Sequence, residues 1–159
     1  MRTPTIVVGT DGAASGNEAV RWAAREAVRR DLTLQVVHVL DWDGGTSALA
    51  EFAGNNFALA RELADIVAAA GVATAHDAAP EVEAEPLTLV GRPAARLLAA
   101  AERAELLVVG THRRNRLAGL IFGSVSRRVA RHAPCPVRVV EGSPNGDSVV
   151  TRRSIRGGT

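Results

Sequence analysis

Thr5-Ile6-Val7-Val8-Gly9-Thr10-Asp11-Gly12-Ala13-Ala14-Ser15-Gly16-Asn17-Glu18 is the stretch on which the fold turns. Its opening run is short, apolar and rich in β-branched residues, and it lacks the polar alternation of a strand with one wet face. It reads as a strand buried on both sides, which is the habit of parallel sheets. Gly9 closes it. Ser15-Gly16-Asn17-Glu18 then has the spacing of a capping box, and Ala19, Val20, Ala23, Ala27 and Val28 share one helical face opposite Arg21, Arg25 and Arg29.

The same alternation continues down the chain. Leu32–Leu40 is a second apolar strand, and an alanine-rich helix is expected from about Glu51 to Ala78, weakened near its end by Gly71. Glu83–Val90 is a third strand that contains Pro86, and Pro93 is well placed to start a helix over Ala94–Arg103. Leu106–Val109 is a fourth strand, closed by Gly110. A helix near Ser124–His132 and a last strand, Val137–Val140, follow Gly123 and the prolines around Cys135. Five strands alternating with helices define an α/β domain with a parallel sheet and right-handed crossovers. Residues 142–159 turn to Gly, Ser, Pro, Asn and Arg without periodicity and read as a polar, flexible tail.

Composition narrows the function classes. With 47% hydrophobic and 23% charged residues, the 159-residue chain is an ordinary soluble globular domain, and its apolar runs are too short to span a bilayer. No secretory leader is evident at the start, and the single cysteine suits a reducing cytoplasm. All 19 basic residues are arginine. The absence of lysine removes the P-loop, Schiff-base chemistry and lysine general bases. Leu106–Val140 holds seven arginines and no acid, a local charge of +7 that leaves −5 elsewhere. That asymmetry calls for an anionic partner. Nucleic acid is the obvious candidate but is not the expected partner, because Phe122 is the segment's sole aromatic residue, too little for a stacking platform.

Two strand ends have the makings of a site. Ligands of open α/β sheets bind beyond the carboxyl ends of the strands, where strand order reverses. Gly9-Thr10-Asp11-Gly12 is one such end. The other is Gly110-Thr111-His112, followed after an arginine-rich loop by Gly123-Ser124-Val125-Ser126 at a helix start. There the unpaired N–H groups and the positive end of the helix dipole favour a phosphate, although an ordinary N-cap has the same pattern. Asp11 reads either as a turn carboxylate or as a ligand contact, and His112 either as a ligand contact or as loop surface. His38, within an apolar strand, reads as a satisfied interior or edge histidine, His76 and His132 as structural or solvated, and Cys135 as a structural thiol. No metal-ligand spacing is present.

These landmarks, in order, resemble the universal stress protein family: Val7-Val8-Gly9-Thr10-Asp11-Gly12, Val37-His38-Val39, Gly91-Arg92-Pro93-Ala94, Leu107-Val108-Val109-Gly110, Ala118–Ser126 and Cys135-Pro136-Val137. The resemblance covers residues 3–141. It implies a single doubly wound domain, a five-stranded parallel sheet in the order 3-2-1-4-5 with helices on both faces. It also implies ATP, with any Mg2+ carried by the nucleotide. Thr10 and Val39 would line the adenine, Asp11 the ribose or a phosphate-bound cation, and Val109, Gly110 and His112 the ribose and phosphates. Gly123, Ser124, Val125 and Ser126 would hold the phosphates. The nucleotide-binding branch carries G-x2-G-x9-G-[S/T], and this chain has Arg113 at the middle glycine. Two readings of Arg113 stand: a strained loop, or a charge that compensates by facing the triphosphate.

The resemblance further implies a homodimer through the last strand, Pro136–Val140, with Arg138 turned away from the apolar side. The functional expectation is a cytoplasmic, stress-response nucleotide-binding sensor or regulator and not an enzyme. The alternative is a family member without nucleotide that works as a protein-interaction module. A nucleotide-transforming enzyme would need a further catalytic domain or a dedicated motif.

Overall fold

The computed structural model describes residues 3–42, 48–112 and 123–142, with Ala48 and His112 described by their backbone only. Arg113 and the tail from residue 143 lie outside the described residues. The elements in chain order are β1 (Thr5–Gly9), α1 (Ala14–Arg30), β2 (Thr33–Leu40), α2 (Ala48–Ala53) and α3 (Phe57–Ala78). They continue with β3 (Ala84–Val90), α4 (Pro93–Ala100), a short 3-10 turn (Ala101–Arg103), β4 (Leu106–His112), α5 (Ser124–His132) and β5 (Val137–Gly142). The strands form one parallel sheet in the order β3-β2-β1-β4-β5.

Both faces of the sheet are covered, which explains why the strands read as continuous apolar runs. Ile6, Val8, Leu34, Val36, Leu106, Val108 and Val140 pack beneath the alanine face of α1 and the end of α3. Val7, Val37, Leu107, Val109, Val137 and Val139 meet Leu97 of α4 and Val129 of α5 on the other face. Strand alternation divides the two sets, since successive side chains leave the sheet on opposite sides.

The structure corrects five local expectations. Helix α1 begins at Ala14 with Ala13 at the cap and no side-chain cap bond, so Ser15 lies inside the first turn, buried, and not at the cap of a capping box. Val28 lies outside the α1 core stripe and is 40% exposed, whereas Ala24 is buried. The alanine-rich helix is two helices, interrupted by Gly54 at φ +61°. Gly71 does not weaken the helix. It is buried in mid-α3, where a Cβ would lie 2.6 Å from Val36 Cγ1, so its role is close packing on β2. Arg138 does not turn away from the packed side: its guanidinium stacks 4.6 Å from the Trp22 ring centroid on α1. Its Nε is buried without a hydrogen-bond partner, and burial lowers its pKa. Pro86 is accommodated because β3 is an edge strand.

Candidate functional site

The order β3-β2-β1-β4-β5 switches direction at β1: α1 carries the chain to β2 on one side of it, and the connection from β3 through α4 brings β4 to the other side of β1. Beyond its carboxyl end lies a cleft of about 640 Å³. Nine of the residues anticipated from sequence line it: Thr10, Asp11, Val39, Val109, Gly110, Gly123, Ser124, Val125 and Ser126. His112 ends β4 opposite Gly142, and its side chain, like all of Arg113, lies outside the described residues.

Three helices start at this rim because each follows a strand that ends there. α1, α4 and α5 are capped by Ala13, Arg92 and Gly123, none of which makes a side-chain cap bond. At α5 the main chain satisfies the Arg127 N–H, which donates to the Gly123 carbonyl at 3.0 Å. The N–H groups of the first turn precede that bond and have no intrahelical acceptor, which is the property of every helix start. Ser124 is exposed beside them. Ser126 has a different job from the one anticipated. It is buried, and its hydroxyl donates to the Gly110 carbonyl at 3.0 Å, clipping α5 to β4.

On the β2 side the sheet opens in a definite way. In a parallel pair the N–H and C=O of one residue turn to the same neighbouring strand, and alternate residues serve alternate neighbours. Leu34 N–H donates to Glu83 O and Leu40 O accepts from Gly91 N–H, so the even residues of β2 serve β3. Thr33 N–H donates to Pro4 O and Val37 O accepts from Thr10 N–H, so the odd ones serve β1. The β1–β2 register ends at Gly9 opposite Val37. Had it continued, Val39 N–H would donate to Thr10 O and Val39 O would accept from Gly12 N–H. Instead Thr10 O is taken by His38 Nδ1 at 2.8 Å, and Gly12 N–H donates to Thr10 Oγ1 at 3.1 Å. Val39 therefore turns its N–H and C=O toward the cleft.

Asp11 performs the turn role: its Oδ1 accepts from Ala13 N–H at 2.9 Å, and the exposed carboxylate also borders the cleft. His38 is the satisfied interior histidine anticipated, and it lines the cleft as well. His76, bonded through Nε2 to Val82 O at 3.1 Å, is structural. Burial pushes the Cys135 thiol up, away from the reactive thiolate. Among the described residues no three His, Cys, Asp or Glu side chains gather as metal ligands, and no helix is long and apolar enough to cross a membrane.

Gly9 and Thr111, within the two strand ends singled out from sequence, also line the cleft, whereas sequence reasoning missed Ser15, Gly16, Val37, His38, Pro93 and Leu97 as lining residues. The α1 start read in sequence as a capping box, and its closeness to β4 is a tertiary fact. A Cβ on Gly110 would lie 2.4 Å from Ser15 O, and one on Gly16 would lie 2.7 Å from Thr10 Oγ1.

The fold is thus a doubly wound α/β domain with a cleft at its switch point, edged by helix N-termini, whose unpaired N–H groups favour an anion on physical grounds. Comparison with known proteins makes this specific. The model of the universal stress protein family matches residues 3–141, and the chain belongs to that family. It is 35% identical over 146 residues to a universal stress protein of Mycobacterium tuberculosis, an alignment covering 87% of this chain and 49% of the relative. The chain thus spans about half the length of the curated relatives it matches. A universal stress protein solved in complex with cAMP superposes with a TM-score of 0.65 at 27% identity, over 90% of this chain and 100% of that one. One from Archaeoglobus fulgidus gives 0.66 at 28%, over 87% and 98%. The Archaeoglobus fulgidus protein in complex with dAMP gives 0.61 at 25%, over 87% and 97%.

Proposed function

We propose that this chain binds an adenine nucleotide, ATP, in the cleft and acts as a homodimeric, cytoplasmic stress-response sensor or regulator. The observation that carries the reading is the pairing of two unlike features across one cavity. The Val39 N–H and C=O form a donor–acceptor edge at one wall, and the α5 start offers N–H groups at the other. A planar base with adjacent donor and acceptor atoms suits the first, and an anionic phosphate suits the second. The relatives solved with cAMP and dAMP support the same class of ligand.

In this reading the base lies against Thr10 and Val39, and the ribose lies near Asp11, Val109 and Gly110. The phosphates meet the backbone N–H groups of Ser124 and Val125 and the Ser124 hydroxyl. Ser126 serves by holding α5 in place, since its proton is committed to Gly110. Mg2+, where present, arrives on the nucleotide, with Asp11 as the carboxylate nearest to hand. The role is binding and not turnover, because the polar side chains that line the cleft among the described residues are hydroxyls, one turn carboxylate and a histidine held by a main-chain carbonyl.

Calorimetry on nucleotide-free protein is the test. Micromolar affinity for ATP is expected. No binding up to millimolar ATP would overturn the reading in favour of a protein-interaction module, the role to which Arg113 in place of the motif glycine points.

A further inference from the structure

We infer that His38 is a positioning residue that keeps the base-reading edge of Val39 open, by occupying the Thr10 carbonyl that would otherwise close it. The inference rests on the nucleotide reading above for its ligand, but its structural core stands without one.

A parallel ladder propagates as long as each carbonyl finds the next N–H across the gap. The last rung between β1 and β2 is Thr10 N–H to Val37 O at 2.9 Å. The next acceptor is Thr10 O, and its ladder partner would be Val39 N–H. A carbonyl can only accept, so the nitrogen facing it at 2.8 Å, His38 Nδ1, carries the proton. The imidazole thus takes the place of a backbone donor and ends the ladder one rung early. Two neighbouring residues of β2 then grip Thr10 from both sides, Val37 by its carbonyl and His38 by its ring. Thr10 Oγ1 completes the arrangement by taking Gly12 N–H, the donor that Val39 O would have met.

Burial makes this substitution decisive. Thr10 is 7% exposed and His38 is 8% exposed. A carbonyl so placed cannot rely on water, and leaving it unpaired costs about as much as a hydrogen bond. With His38 removed, the nearest backbone donor in register is Val39 N–H. The expected response is that Thr10 and Val39 pair, β1 lengthens by one rung, and the edge facing the cleft is consumed. The residue is therefore needed less for the stability of the sheet than for the place where the sheet stops.

Three variants separate this role from simple packing. His38→Leu keeps much of the side-chain volume without the donor. His38→Asn keeps a donor two bonds beyond Cβ, close to the Nδ1 position, whereas His38→Gln displaces it by one further bond. Affinity for ATP is expected to fall on the order of tenfold in His38→Leu, the value of one hydrogen bond. AMP should weaken by the same factor, since the base end is affected and the phosphate end is not. His38→Asn should restore most of the affinity and His38→Gln should not. Unchanged affinity in His38→Leu, or equal loss in the Asn and Gln variants, would overturn the inference.

Amide hydrogen exchange at Val39, read by NMR without nucleotide, tests it independently of the ligand. Exchange at that one amide should slow in His38→Leu and return to the wild-type rate in His38→Asn. An unchanged Val39 rate in a folded His38→Leu protein refutes the switch of partners. A wild type that fails to bind ATP refutes the nucleotide reading alone and leaves the exchange result to decide the role of His38.

Discussion

Gly110 and Gly123 stand on two walls of the same cleft and match the outer glycines of one motif, yet their surroundings are opposite. A Cβ at Gly110 would meet the Ser15 carbonyl oxygen at 2.4 Å and Gly16 N at 3.2 Å. At Gly123 it would meet no described atom within 4 Å, and the backbone there, at φ −58°, suits any residue. The first glycine answers to the protein, because β4 and the start of α1 cross in contact. Nothing in the described fold fills the space at the second, which leaves that wall of the cleft open. A glycine in a motif is evidence of function only where the fold itself leaves room for a side chain.

The largest effect should follow from breaking the closed wall. Gly110→Ala puts a methyl group into a backbone carbonyl that cannot swing aside, and overpacking of this kind costs about 3 kcal/mol. Thermal unfolding should fall by ten degrees or so for a domain of this size. A melting temperature within a degree or two of wild type would show that the α1–β4 crossing yields easily, and the contrast between the two glycines would collapse.

The two edges of the sheet offer a related contrast. β3 carries Pro86 on its length, whereas β5 has proline only ahead of it, at Pro136. Leu107 N–H donates to Pro136 O, so the even residues of β5 serve β4, and Val137 and Val139 turn their backbone groups outward. That is the edge proposed to pair with its copy across a two-fold axis, which closes both edges at once. Val139→Pro removes an outward donor while sparing the β4 ladder. Two symmetric hydrogen bonds lost at about 1 kcal/mol each should weaken the dimer roughly thirtyfold, which light scattering would read as monomer. A single-chain mass for the wild type at tens of micromolar would remove the dimer altogether.

At the open wall, Gly123→Val should leave the melting temperature almost unmoved. The isopropyl group would stand where a phosphate approaches the first turn of α5, and ATP affinity should drop by about tenfold, or 1.4 kcal/mol. Retained affinity would place the phosphates elsewhere. Coupled loss of stability would mean that Gly123, like Gly110, answers to packing.

Most element positions were legible because both-face burial leaves unbroken runs such as Thr5–Val8 and Leu106–Val109, each closed by glycine, whereas the sheet order followed only from the family resemblance. What escaped the sequence depended on distance across the fold. Ser15 had the spacing of a cap and proved to be a buried crossing point, because Gly110 and Gly142 press against it. Gly71 read as a weak point near the helix end and is a contact with Val36. His38 was recognisable as a satisfied histidine, but its acceptor, 28 residues earlier in the chain, cannot be read from a single apolar run. Arg138 was assigned to the wet side because Trp22, on another element, supplies a surface that no local pattern reveals.

The smallest expected effect lies far from the cleft, where α1 ends. Arg29 and Arg30 both bond the Glu26 carboxylate, Arg29 Nε at 2.9 Å and Arg30 Nε at 2.5 Å, and hold its pKa down at about 2. The arginine hydrogen bond from Arg29 is the leading cause, with burial opposing it. A carboxyl whose folded pKa is depressed stabilises the fold above its unfolded pKa and loses that contribution as pH falls through its folded one. The contribution should therefore be complete above about pH 5 and gone near pH 2. Arg29 is 67% exposed, and water screens the pair, so the worth is that of surface helix pairs, about 0.5 kcal/mol. Glu26→Gln should lower stability by that amount at pH 7 and by nothing at pH 2, as measured by urea unfolding. A loss of several kcal/mol at pH 7 would mean that Glu26 also supports Arg138, whose positive charge its carboxylate favours, and that the β5 edge is organised from α1.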